Sequence, residues 1–161
     1  MTRFVLGAVL AMTAASCVGP GEPVFVEPLD VAFYEASVEP VVHWSCASLE
    51  CHGQDGRPLR IYSVDGLRMS DALRGRPLSP AEAEWNAFAF AGVDPMAASV
   101  DESVVLEKPL SVDAGGLHHE GDDLWPDRSD PSYLCLRGWL AGDPSAAADC
   151  DRAAAMVVPP E

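Results

Sequence analysis

Beyond residue 16 the chain holds a single isoleucine, Ile61, and no threonine. Pleated, half-buried strands are built largely from β-branched and aromatic residues, so this shortage argues against an extensive sheet. Helices are left to carry the core. With 14 prolines and 13 glycines in 161 residues, those helices must be short and the loops long. The hydrophobic fraction of 48% is enough for one core. The expectation is therefore a mainly α domain of three to four helices.

Capping signals locate them. Asp30 opens a helix through Phe33, Ala36, Val41 and Trp44, with Pro40 kinking it or splitting it in two. Ser79-Pro80-Ala81-Glu82 is a capping box with proline in the first turn. The helix it starts has Ala81, Trp85, Phe88 and Ala89 on one face, the expected core face, and Gly92 as its stop. Asp130-Pro131 starts a third helix with Tyr133, Leu136 and Leu140 on one stripe, ending at Gly142. An alanine-rich stretch from Ser145 to Met156 is a short fourth. Leu59–Tyr62 and Val104–Val112 read as short extended segments, and no internal repeat is visible.

Residues 1–16 do not belong to the fold. One arginine, an apolar run from Phe4 to Met12 and the small residues Ala14, Ala15 and Ser16 before Cys17 describe an export leader. The small residues directly before the cysteine resemble the lipobox of bacterial lipoproteins, which implies a lipid on Cys17 and export to the cell envelope. Residues 17–29 follow as a Pro/Gly-rich tether, and the domain is expected over 30–156. Ten basic against 25 acidic residues, a net charge of -15, is the wrong sign for neutralising phosphates and argues against nucleic acid. It suits a basic protein partner.

Four cysteines remain after Cys17, in two kinds of setting. Cys46-Ala-Ser-Leu-Glu-Cys51-His52-Gly53 stands at the end of the first helix. Two thiols with a histidine directly behind the second is the order that attaches haem c: each thiol adds to one vinyl group, which brings the adjacent imidazole under the iron. The spacer here is four residues, where two is usual. Two other readings stand beside it. Cys46 and Cys51 can form a local disulfide, or can join His52 and one of His43, His118 or His119 in a zinc site. On spacing alone, His43 is a surface residue of the first helix. Cys135 and Cys150 lack an adjacent histidine, lie on the third and fourth helices, and are expected to form a disulfide across an αα-hairpin.

Phe33-Tyr34-Glu35, Val38-Glu39-Pro40-Val41-Val42 and the Cys46–Gly53 motif resemble the opening of small cytochrome c domains of bacterial envelope proteins, the planctomycete type above all. The likeness continues through Pro58-Leu-Arg-Ile-Tyr62, Ser103–Leu110, Gly115-Gly116-Leu-His-His119-Glu-Gly121 and the last helix, covering roughly residues 32 to 142. It departs at the four-residue spacer and at Glu120-Gly121-Asp122, where the family is richer in glycine. The resemblance implies a cytochrome c-like fold and one covalent haem held by Cys46 and Cys51. His52 would be the proximal iron ligand, and a distal ligand would come from the loop before the last helix. His119 is the favoured distal ligand and His118 its neighbour; Met69 and Met96 are thioether alternatives.

The acidic run from Glu120 to Asp130 fits no calcium-loop spacing and reads as a solvated loop. No paired catalytic carboxylates, nucleophile elbow or phosphate-binding glycine loop is present, so an enzyme is not expected. Two functions remain open: an electron-carrying envelope lipoprotein with haem c, or a cofactor-free lipoprotein stapled by two disulfides and serving as a structural or interaction module.

Overall fold

The computed structural model describes residues 28–157. The leader, Cys17 and all of the tether except Pro28 and Leu29 lie outside the described residues. Among the described residues the architecture is mainly α, as expected, with five helices, short 3₁₀ turns and two isolated bridges, Tyr62 to Leu67 and Leu110 to Trp125. No strand forms among them.

Helix α1 begins at Asp30, whose carboxylate accepts from the Phe33 amide at 2.9 Å. It runs as α-helix over Val31–Phe33, as a π-turn over Tyr34–Val38 and as α-helix again over Glu39–Ser45. The widened turn lies just ahead of Pro40, whose ring would otherwise crowd the carbonyl one turn back. Pro40 thus neither breaks nor splits the helix. The buried face is Tyr34, Val38, Val41 and Val42, with Phe33 and Trp44 at its margins.

Helix α2, Pro80–Val93, starts with the full capping box: the Ser79 hydroxyl accepts from the Glu82 amide while the Glu82 carboxylate accepts from the Ser79 amide. Its orientation reverses the expected one. Glu82, Ala83, Asn86, Ala87 and Phe90 face inward, whereas Trp85 is 41% and Phe88 63% exposed. Gly92 is still helical, and the helix stops at Asp94. Two satisfied polar side chains account for the reversal. Glu82 accepts two hydrogen bonds from Arg68 (2.9 and 2.7 Å) and others from the Met69 and Ser79 amides, both at 3.0 Å. Asn86 accepts from the Tyr62 amide at 2.8 Å and donates to the Tyr62 carbonyl and to the Tyr34 hydroxyl. Buried polar groups are tolerated when all their bonds are made, and here they are.

Helix α3, Val104–Glu107, falls in the stretch read as extended; Ser103 caps it by accepting from the Val105 amide. Four helical residues are too few for a periodic signal. Helices α4, Pro131–Leu140, and α5, Ala147–Met156, form the anticipated hairpin, joined by the Cys135–Cys150 disulfide. Trp139 packs against Tyr34 and Phe90 with ring centroids 5.2 and 5.5 Å away, and its indole donates to the Asp30 carbonyl at 2.9 Å. Asp101 holds Arg137 through two hydrogen bonds and accepts a third from the Tyr133 hydroxyl, which fixes α4 to the turn before α3.

Burial alone would push the Glu82 carboxyl up, but Arg68 and the two amides outweigh it and hold the carboxyl at about 2, against an ordinary 4.5. The stability this group contributes is therefore complete above about pH 4.5 and is lost as pH falls toward 2. Glu82→Gln leaves Arg68 buried without its counter-charge and is expected to cost about 3–5 kcal/mol in denaturant unfolding. It should also flatten the loss of stability between pH 5 and pH 3. Removing the Cys135–Cys150 bridge, which spans 15 residues, should cost about 3 kcal/mol by loop-closure entropy, read as a lower melting temperature.

Candidate functional site

The first helix ends where the cysteine motif begins. Both Cys46 and Ala47 donate their amides to the Val42 carbonyl, and the chain turns back so that the Cys51 and Gly53 amides reach the Ser48 carbonyl at 3.0 and 2.8 Å. The four spacer residues thus close into a compact turn, with Ala47 buried and Leu49 and Glu50 outward. The His52 amide bonds to the Cys46 carbonyl at 2.9 Å. Gly53 is required by close approach: a Cβ there would stand 2.0 Å from the Ala47 carbonyl oxygen.

Sixty-odd residues later the chain returns. Gly116 passes so close to Leu110 that a Cβ would stand 1.9 Å from its carbonyl oxygen, and the Leu117 amide bonds to the Glu107 carbonyl at 2.8 Å. This crossing sets His118 and His119 opposite the cysteine loop. The His52 and His119 rings stand nearly parallel, 12° apart in plane, with centroids 6.0 Å apart.

Each imidazole has one nitrogen committed to backbone. Nδ1 of His52 bonds to the Leu59 carbonyl at 2.8 Å, and Nδ1 of His119 makes a longer contact of 3.4 Å to the Asp122 carbonyl. A carbonyl partner makes Nδ1 the protonated nitrogen and frees Nε2 for a metal, the usual way that a ligating histidine is oriented. Burial pushes His52 below its ordinary 6.5, opposed by the Leu59 bond and assisted by His119 and Arg57. His52 is accordingly neutral at pH 7, the form that ligates.

Two cavities adjoin at this pair. One, of about 480 Å³, is polar and is lined by Cys51, Arg57, His118 and Glu120 among others. The second, of about 220 Å³, has walls drawn from Cys46 at the end of α1 and from three further helices: Phe90, Val93, Val105 and Leu136. His52, Pro58, Lys108 and His119 line both. Together the volumes lie within the roughly 300–1,000 Å³ usual for small-molecule sites.

Cys46 and Cys51 are free thiols, so the disulfide expected between them as one alternative is not formed. Burial pushes the Cys46 thiol up to about 11, eased by the Ser45 hydroxyl, so it is a neutral thiol at pH 7. The zinc quartet is not assembled either: among the described residues no three of His, Cys, Asp and Glu are grouped to hold an ion. His43 instead bonds to Glu39 at 3.3 Å and Asp65 at 3.1 Å. Met69 and Met96 are 41% and 74% exposed and line neither cavity. In the acidic run, Asp127 and Asp130 accept from backbone amides, the latter as the cap of α4.

Two imidazoles and two reduced thiols are the donor types that an iron-bearing tetrapyrrole would take. An ion held by Nε2 of both rings, with each nitrogen aimed at it across a bond of about 2.0–2.1 Å, would place the centroids roughly 6 Å apart. Two reduced thiols and an apolar wall lie alongside. Arg57 and Lys108 were not singled out from sequence. An isolated basic residue carries no periodic signal, and only the folded loops bring these two to one cavity.

Comparison with family models, with curated proteins and with solved structures yields no match to this chain. Gly53→Ala and Gly116→Ala should each displace one of the two histidine-bearing loops. Each is expected to cost about 1–3 kcal/mol, measured by thermal unfolding, whereas Gly92→Ala, whose added methyl on α2 meets nothing within 4 Å, should cost less.

Proposed function

We propose that this chain is a monohaem c-type cytochrome of the cell envelope that carries single electrons. The observation that supports it most is the His52–His119 pair, near-parallel at 6.0 Å beside two unbridged cysteines. Cys46 and Cys51 would anchor the group, each S–H adding across one vinyl double bond with nothing lost. His52 and His119 would be the axial ligands through Nε2, their Nδ1 atoms held by the carbonyls of Leu59 and Asp122. When bound, the haem supplies a one-electron ferric/ferrous couple. The protein's part is to orient the imidazoles, to exclude water with Phe90, Val93, Val105 and Leu136, and so to tune the potential by burial.

An acylated Cys17 would anchor the chain to the membrane through the tether, with the domain facing the periplasm or the cell surface. The excess of acids suits a basic redox partner, whose binding should weaken as salt rises. One observation favours the alternative of a cofactor-free, disulfide-stapled structural or interaction module: the Cys135–Cys150 bridge. That reading lacks its second staple, since Cys46 and Cys51 are free.

Mature protein produced with a cytochrome c maturation system should be red, retain its colour through acid–acetone extraction and give a haemochrome spectrum. His119→Ala should convert a six-coordinate, low-spin spectrum to a high-spin one while the haem stays attached, and His118→Ala should not. Colourless protein with a 46–51 disulfide on mass mapping would decide for the stapled module.

A further inference from the structure

Acids outnumber bases 25 to 10 in this chain, so a basic side chain without a carboxylate partner stands out. Among the described residues Arg60, Arg68, Arg74, Arg137 and Arg152 each lie within ion-pair distance of an aspartate or glutamate. Arg57, Arg76, Lys108 and Arg128 do not, and of these four it is Arg57 and Lys108 that line the cavity beside the two imidazoles. Each is held instead by a backbone carbonyl. Arg57 Nη2 donates to the Glu50 carbonyl at 3.1 Å, and Lys108 Nζ donates to the His118 carbonyl at 2.8 Å.

Those two carbonyls belong to the two loops that carry the facing histidines. Each cation is thus tied to one jaw of the site, with most of its N–H donors still unspent: a guanidinium has five and an ammonium three. Lys108 also lines the apolar cavity, so it stands where the dry wall meets the polar mouth. Glu50 and Glu120 line the mouth as well, beyond ion-pair distance of both cations. A ligand that matches this layout is flat and apolar over most of its surface, with carboxylates along one edge.

We propose that Arg57 and Lys108 form a carboxylate clamp that holds the acid side chains of the tetrapyrrole at the mouth of the site. The clamp rests on the cytochrome reading above. It adds the residues that select a tetrapyrrole bearing free acids and fix which edge faces outward. Charge-assisted bonds of this kind are roughly twice as strong as neutral ones, and the half-enclosed mouth screens them less than open solvent would.

The test uses the full chain carrying C46A/C51A, in which haemin cannot be anchored covalently, and compares haemin with its dimethyl ester. The clamp predicts that the ester binds at least about 10-fold more weakly, the scale of one charge-assisted hydrogen bond. It further predicts that R57Q/K108Q removes this difference while its circular dichroism stays helical. R57Q and K108Q singly should each remove part of it, which keeps the test open if the double variant misfolds. An equal preference for the acid in wild type and variants would overturn the clamp and leave the cytochrome reading standing, provided His119→Ala still abolishes the low-spin spectrum. Binding of neither compound would overturn both. Inorganic phosphate binding to wild type but not to R57Q/K108Q, with haemin and its ester bound equally, would assign the cations to a free anion and also overturn the clamp.

Discussion

The fold depends on two polar side chains buried one turn apart on a single helix. Glu82 gathers Arg68 and the amides at Met69 and Ser79, so the whole excursion from 68 to 79 is drawn against the start of α2. Asn86 pairs with both backbone groups of Tyr62 and with the Tyr34 hydroxyl, which ties α1 and the segment after the cysteine loop to the same helix. Each bond adds only about 1 kcal/mol on its own, but an unsatisfied partner left inside would cost about 1–3 kcal/mol. That asymmetry makes the arrangement specific: once α2 turns this face inward, the other elements have one place to go.

The candidate site follows from that placement. With Tyr62 pinned by Asn86, the preceding residues run past His52, and the Leu59 carbonyl meets its Nδ1. Phe90 and Val93, further along α2, then form part of the apolar wall together with Val105 and Leu136. The opposing loop is set by the crossing at Gly116, where only the absence of a side chain lets residues 115–119 pass over Leu110. One loop brings Cys46, Cys51, His52 and Arg57, the other Lys108, His118 and His119. In the proposed cytochrome, anchoring, ligation and selection of the tetrapyrrole's acid groups all come from this one meeting of loops.

What was legible beforehand was local chemistry. Asp30, the Ser79–Glu82 capping box and Asp130 marked three helix starts because a cap is satisfied within one turn of chain. Cys135 and Cys150 could be paired because a helical hairpin has a fixed geometry. The face of α2 could not be read. Periodicity assigns the inside to Trp85 and Phe88, and only the partners at Arg68 and Tyr62, distant in sequence, make Glu82 and Asn86 the cheaper residues to bury. The short helix at Val104–Glu107 escaped for a related reason: four residues show no period, and a distant carboxylate, Asp94, accepts from its first amide at 3.1 Å.

The class of the fold, mainly α with long loops, follows from composition: a shortage of isoleucine and threonine and an abundance of proline and glycine. The candidate chemistry is legible in the sequence too, because two thiols and an adjacent histidine within eight residues need no tertiary context to be placed together. Which histidine faces His52, that Cys46 and Cys51 stay unbridged, and that Arg57 and Lys108 share a mouth are settled by packing in the folded chain. The first and last of these are matters of approach between segments far apart in the chain, and the second is a matter of how one turn packs. They are set by buried hydrogen bonds and by two glycines that leave room for a backbone carbonyl, and no local pattern in the chain records them.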